Sequence, residues 1–258
     1  MNGGGNYWLP RICLSLPFLV LFLIFAGALV TSHNAGLAVP DWPTTFGENM
    51  FLYHPSKWQG IIFYEHGHRL LAALIGVVTL CVAIWLSLIE KRKWVKIVAA
   101  LALLAVVLQG LLGGLTVLWL LPPAVSVMHA MLAQSFLLLV VVLAYSQWGW
   151  GAACFSHDQH DRIKKLSLMG VLLLYLQLLL GAAMRHTASG LAITDFPLMG
   201  GSLWPSLDQE MLMQVNSDRA LIGLGPVTLL QVGLHLAHRL GGVIVAVALL
   251  GLSFTVLK

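Results

Sequence analysis

The chain has 258 residues, of which 59% are hydrophobic and only 9% charged. Soluble domains carry about a quarter charged residues, so an ordinary water-soluble enzyme or binding module is excluded and a polytopic helical membrane protein is indicated. The net charge of +4 is gathered into a few short basic segments. Membrane topology accounts for these, and no nucleic-acid partner is needed.

Six apolar spans are predicted at roughly 14–32, 66–89, 95–120, 125–146, 166–184 and 228–256, each about the length a bilayer demands. The first is too long and uninterrupted for a signal peptide, and no small-residue cleavage pattern follows it. Arg11 precedes span 1. Lys91, Arg92, Lys93 and Lys96 fill the loop after span 2, Arg162, Lys164 and Lys165 fill the loop before span 5, and Lys258 ends the chain. The positive-inside rule turns all of these to the cytoplasm, with both termini inside. The opposite loops, roughly 33–64 and 185–227, are long and rich in Gly, Pro, Trp and Met, suited to a lid over the outer helix ends. None of Cys13, Cys81 and Cys154 lies in these outer loops. No structural disulfide is expected, and no CxxC pattern suggests zinc or thiol redox chemistry.

Taken in order, the chain repeats itself. Gly36-Leu37-Ala38-Val39-Pro40-Asp41-Trp42-Pro43 follows span 1, and Gly190-Leu191-Ala192-Ile193-Thr194-Asp195-Phe196-Pro197 follows span 5, 154 residues on. His68-Arg69-Leu70 opens span 2, and His238-Arg239-Leu240 lies early in span 6, 170 residues on. Both copies enter from the same side, so the repeat is parallel. The expected fold is an all-α polytopic membrane protein of about six helices. Residues 1–150 would form a complete four-helix bundle, and residues 151–258 half of a repeated second one. A counterpart of His129 would fall beyond the last residue. The reading is therefore a chain without the last two helices of a double bundle: naturally shortened, truncated, or completed by another subunit.

Glu65-His66-Gly67-His68-Arg69 stands at the mouth of span 2, where such polar groups are expensive without partners. His68 and His129, in spans running the same way, fall within two turns of their openings and so at similar depth. Two facing imidazoles are a common axial set for haem iron. Either His alone reads better as a helix-end cap or hydrogen bond; depth matching and the repeat reverse that for the pair. Glu65, three residues before His68, shares its face and suits orienting, acid–base or charge-stabilising work. Its bland role is N-terminal helix electrostatics. In the second copy that position is His235, so the two sites have diverged. Arg69 and Arg239 suit carboxylates such as haem propionates, or snorkelling. Arg185 and His186 suit propionates, or simply a loop. His66, two residues from His68, points elsewhere. Gln109 to Gly114 and Gln177 to Gly181 resemble one another, and their small residues permit close helix packing or approach to a flat macrocycle.

Glu65-x-x-His68-Arg69, His129, the repeated Gly-Leu-Ala-x-x-Asp-aromatic-Pro loop and His238-Arg239 together resemble the haem A synthase family, over essentially the whole chain. The resemblance implies two four-helix bundles of eight spans and conversion of haem O to haem A. The reaction oxidises a ring methyl to a formyl group by way of hydroxylation, for haem–copper terminal oxidases. Carried over by position, His68 and His129 would be axial ligands of the N-terminal, substrate haem, with Glu65 the functional carboxylate beside it. Arg69, Arg185, His186 and Arg239 are the candidates for propionate contact. His238 would be one ligand of a C-terminal haem b, without an intrachain mate in the expected place. Some members carry paired outer-loop cysteines, which this chain lacks. The implied partners are haem O, an electron-donor protein, haem O synthase or terminal-oxidase subunits, the bilayer and a second copy of the chain. The expected location is a bacterial cell membrane. The alternatives are a non-catalytic bis-His haem-binding or b-type electron-transfer protein, and a small-molecule transporter. The transporter is disfavoured by a parallel repeat with no span clearly broken at the midplane.

Overall fold

The computed structural model describes residues 7–148, 157–203 and 205–257. The regular elements are α1 (Trp8–Ser32), α2 (Ile61–Ile89), α3 (Lys93–Leu118), α4 (Pro123–Trp148), α5 (His157–His186), α6 (Gln209–Leu221) and α7 (Leu229–Leu257), with a 3-10 turn at Pro55–Lys57. All but α6 are long and apolar enough to cross a membrane, and the protein is an all-α integral membrane protein. Cys154 and Lys258 lie outside the described residues.

Five of the six membrane helices, α1 to α5, start earlier than their apolar spans. α2 begins at Ile61, so Glu65 sits in its second turn and not at its mouth. Arg162, Lys164 and Lys165, expected in a loop, ride on the first turns of α5. Hydropathy locates only the apolar part of a helix. The backbone continues helical through the flanking polar residues because that keeps its own hydrogen bonds satisfied. Gly60, at φ 57° and ψ −127°, supplies the backbone turn into α2 that a side chain resists. α1 and α5 stop alike. Asn34 and Ala188, 154 residues apart, have positive φ. Ala35 N–H donates to Val30 O and Ser189 N–H to Met184 O, each at 2.8 Å, closing the exposed carbonyls of the last turn.

The chain forms two compact units, Met1–Ala152 and Ala153–Lys258. In the first, α1 packs on α2 and α4, and α3 on α2 and α4, closing a four-helix bundle. Its buried core lies toward the end that carries Lys91 to Lys96: Leu9 to Val20 on α1, Ile75 to Leu86 on α2, Val95 to Ala105 on α3, Phe136 to Leu143 on α4. On α2 the buried Ile75, Thr79, Val82, Ala83 and Leu86 recur at helical spacing. On α3 the facing positions Ala99, Ala102 and Ala105 are small, which lets backbones approach. Cys13 is buried in this core and Cys81 exposed, and both are free thiols.

The same end is tied by Glu90. Its carboxylate accepts from the Lys91 and Arg92 amides, pairs with the Arg92 guanidinium at 2.7 Å and accepts from Gln147 of α4 at 3.1 Å. Arg92 also donates to the Ser146 carbonyl of α4. The Arg92 hydrogen bond holds the Glu90 carboxyl down at about 2.

In the second unit α5 packs along α7, and α6 rests on α7. The second long loop, residues 187–228, carries a core of its own. Ala192, Ile193, Met199, Val227 and α6 residues Met211 and Val215 pack with Val232 and Leu236 of α7. α6 was not among the predicted elements. Asp208 caps it, accepting from Met211 N–H at 2.9 Å.

Candidate functional site

At the end of the bundle opposite the basic turn, the first long loop, residues 33–60, folds onto α2. Arg69 Nη1 donates to the Asp41 and Thr44 carbonyls at 2.7 and 3.2 Å. Its Nη2 donates to the Val39 carbonyl at 2.8 Å and to Glu65 at 2.5 Å. The other Glu65 oxygen accepts from the Val39 amide at 2.8 Å. The ion pair is deeply placed, its side chains only 10% and 5% exposed. The loop is itself preformed by Asp41, whose carboxylate accepts from the Phe46 and Gly47 amides and the Thr44 hydroxyl. Burial alone would push the Asp41 carboxyl up, but these hydrogen bonds outweigh it and hold it below the usual carboxylate value.

The second unit repeats this clasp nearly atom for atom. Arg239 donates to the carbonyls of Asp195, Leu198 and Ile193 at 2.9, 3.1 and 3.3 Å. These are the residues 154 positions beyond Asp41, Thr44 and Val39. His235 replaces Glu65: its Nδ1 accepts from the Ile193 amide at 3.1 Å, and its Nε2 lies 3.1 Å from Arg239 Nε. Asp195 accepts from the Gly200 and Gly201 amides at 3.0 and 2.9 Å. Burial raises its carboxyl and the two amides more than compensate, leaving it low. Arg219 of α6 adds a further anchor, donating to the Gly225 and Leu191 carbonyls. The two arginines thus have a job that neither propionate binding nor snorkelling anticipates, which is to hold the long loops on their helices.

His68 and His129 come together. Each stands within its helix's first two turns, seven residues after Ile61 and six after Pro123, and His129 lies close enough to act electrostatically on the His68 ring. His68 is hydrogen-bonded to the Leu23 backbone, and its Nδ1 is buried without a hydrogen-bond partner. Gly27 of α1 lies against the His68 ring and Gly113 of α3 against the His129 ring. In the second unit Gly181 of α5 lies against His238. The Gln177 amide nitrogen contacts His238 Nδ1 at 3.0 Å and donates to the His238 carbonyl at 2.8 Å. Such a partner fixes ring orientation in ligating histidines.

The remaining histidines are placed otherwise. His66 is fully buried under the first long loop, 3.2 Å from the Thr45 hydroxyl and against the Trp58 and Tyr53 rings, pointing away from the His68 face as its offset implies. His33 stacks on Tyr64 at 4.0 Å, and His54 caps the 3-10 turn. Arg185 and His186 occupy the last turn of α5. At about 1.5 Å per residue they lie about 6 and 8 Å beyond Gly181 along the helix, and cations there complement the helix dipole. Among the described residues no group of three or more His, Cys, Asp or Glu could hold a metal ion.

Sequence reasoning missed the loop carbonyls that receive Arg69 and Arg239, the glycine seats and Trp42. The Trp42 indole packs on Gly114, where a Cβ would lie 2.5 Å from its Cδ2. The usable signal was the repeat itself, since every loop residue engaged by Arg69 has its partner 154 positions on.

The sequence pattern of one protein family, described as cytochrome oxidase assembly protein (COX15-CtaA), matches residues 10–258. The chain belongs to this family. Among curated relatives of this family member, Heme A synthase of Symbiobacterium thermophilum is 29% identical over 259 residues, covering 96% of this chain and 75% of the relative. Heme A synthase of Halalkalibacterium halodurans is 28% identical over 237 residues, covering 89% and 70%. Heme A synthase of Shewanella oneidensis is 27% identical over 267 residues, covering 96% and 78%. No solved structure matches the chain.

Two imidazoles in reach of each other, one with a buried nitrogen that no protein group satisfies, and glycines where flat rings press against helices, are a donor set that fits haem.

Proposed function

We propose that this protein is a haem A synthase: a membrane oxidoreductase that converts haem O to haem A by oxidising a ring methyl to a formyl group, by way of hydroxylation, for haem–copper oxidase assembly. The observation that carries the reading is the pairing of His68 with His129, one turn from the buried Glu65, in a chain matched by the assembly family over residues 10–258. Residues 1–150 hold the substrate haem, with His68 and His129 as its axial imidazoles. Glu65 is the carboxylate beside it, held in place by Val39 and Arg69 so that it can orient a proton or balance developing charge. The clasped first loop, with Trp42 against α3, covers this end of the bundle and keeps water out. Haem O is apolar and enters from the bilayer.

Residues 151–258 hold a second haem through His238, oriented by Gln177. Haem b bound there supplies one-electron transfer. Arg185 and His186, at the end of α5, meet its propionates. The protein sits in a bacterial cell membrane with both ends cytoplasmic. It draws electrons from a donor protein, pairs with a second copy of itself, and works beside haem O synthase or terminal-oxidase subunits.

One observation favours the second reading, a non-catalytic bis-His haem-binding or electron-transfer protein: both Glu65 oxygens are already engaged within the protein. The deciding experiment is chromatographic identification of the haems extracted from this protein, purified from cells that also make haem O. Haem A or its hydroxylated precursor, absent from control cells, supports the synthase. Haem b or haem O alone supports the binding protein. No haem removes both.

A further inference from the structure

Three histidines stand out from the rest by what touches their rings. A Cβ placed on Gly27 would lie 3.0 Å from His68 Cε1, one on Gly113 would lie 3.3 Å from His129 Cε1, and one on Gly181 would lie 2.9 Å from His238 Cε1. Carbon atoms in ordinary contact stand about 3.5–4.0 Å apart, so in each case the ring occupies space that any other residue would fill. Gly27 and Gly181 are 154 residues apart, the spacing of the repeated loops. No glycine meets His66 or His235 in this way among the described residues. Those two spend their rings on the long loops instead.

We propose that Gly27, Gly113 and Gly181 are positioning residues for the three imidazoles: each seats one ring edge-on at Cε1 and thereby sets where its ligating nitrogen lies. The inference rests on the reading of His68, His129 and His238 as axial ligands. Cε1 is the carbon between the two ring nitrogens. A push there turns the whole ring and displaces both nitrogens, whichever one binds iron. The buried, unpartnered Nδ1 of His68 makes that seat the most sensitive, because no protein hydrogen bond holds this nitrogen.

The helix itself has no need of these glycines. Alanine is about 1 kcal/mol better than glycine inside a helix, so a purely structural role predicts neutral or stabilising Gly→Ala substitutions. Gly76 of α2 and Gly110 of α3 have nothing within 4 Å of their Cβ positions, and they serve as matched controls.

The test uses the full chain with haem bound, comparing Gly27→Ala, Gly113→Ala and Gly181→Ala with Gly76→Ala, Gly110→Ala and His129→Ala. Haem per chain, the electron paramagnetic resonance of the ferric protein and the midpoint potential are read alongside detergent monodispersity. The expected result is a several-fold loss of haem, or a shifted low-spin signal and potential, in Gly27→Ala and Gly181→Ala. Gly113→Ala shows a smaller shift because its contact is looser, and the controls are unchanged. Spectra of all three variants matching Gly110→Ala, while His129→Ala still loses haem, would overturn the seats and leave the ligands standing. An unchanged haem in His129→Ala overturns the ligand reading and the proposal with it. Collapse of the folded protein in Gly113→Ala also overturns it, since the contact would then serve the bundle and not the haem.

Discussion

At residue 65 a carboxylate accepts from Val39 and Arg69, and at the equivalent point of the second unit the His235 imidazole accepts from Ile193 and lies 3.1 Å from Arg239 Nε. The same loop amide is therefore met by two acceptor chemistries, which allows position and reactivity to be separated. Glu65→His keeps an acceptor for the Val39 amide and is expected to retain haem and loop structure while product formation is abolished. Normal haem A yield from that variant would sink the catalytic role of the carboxylate. Glu65→Ala instead leaves the Arg69 charge buried and unpaired, which costs about 3–5 kcal/mol, and is expected to lower thermal stability as well. His129→Ala is expected to lose the axial signature of the first haem. An unchanged spectrum and stoichiometry would strike it from the ligands.

The long loops are elements as specific as the helices. An Asx-type turn at Asp41 or Asp195 gathers backbone amides, and an arginine from the following helix gathers the carbonyls. Every donor and acceptor involved would need water if the loop lifted, so the clasp is cooperative. Arg69→Ala is expected to raise amide hydrogen exchange at Val39, Phe46 and Gly47 without disturbing the α1–α4 core toward the basic end. Arg239→Ala does the same at Ile193, Gly200 and Gly201. Exchange unchanged in either loop would show that its apolar contacts suffice. The repeated loop motif was legible from the sequence as a repeat, but the arginine's partners were not, because backbone carbonyls carry no residue identity. α6 was passed over because its 13 residues are polar and of low hydropathy. Asp208 three residues before Met211 was its one readable start signal.

For the whole molecule, acid is the informative perturbation outside the bilayer. Glu90 is held at about 2 by Arg92, below its ordinary 4.5, and Asp41 and Asp195 are also held low. A carboxylate with a depressed folded pKa adds stability above its unfolded value and loses it as pH falls through the folded one. Thermal stability in detergent is expected to decline from about pH 4.5 down to about pH 2. Glu90→Gln is expected to lower stability at neutral pH and flatten part of that decline. A Glu90→Gln acid limb identical to that of the unsubstituted protein would exclude the Glu90 cluster as its source.

Composition made this a helical membrane protein, because a chain with so few charges must satisfy its backbone inside lipid, and the order of its apolar runs gave six spans. Two short motifs at offsets of 154 and 170 exposed the repeat, and helical periodicity put His68 and His129 at one depth. These properties follow from local sequence and from the bilayer's dimensions. Which ring rests on which glycine, which carbonyls Arg69 binds, and that His235 takes the place of Glu65 against the loop amide were decided by how the helices and loops pack. Those contacts join residues 16 to 57 positions apart, and helical or strand periodicity carries no information across such distances.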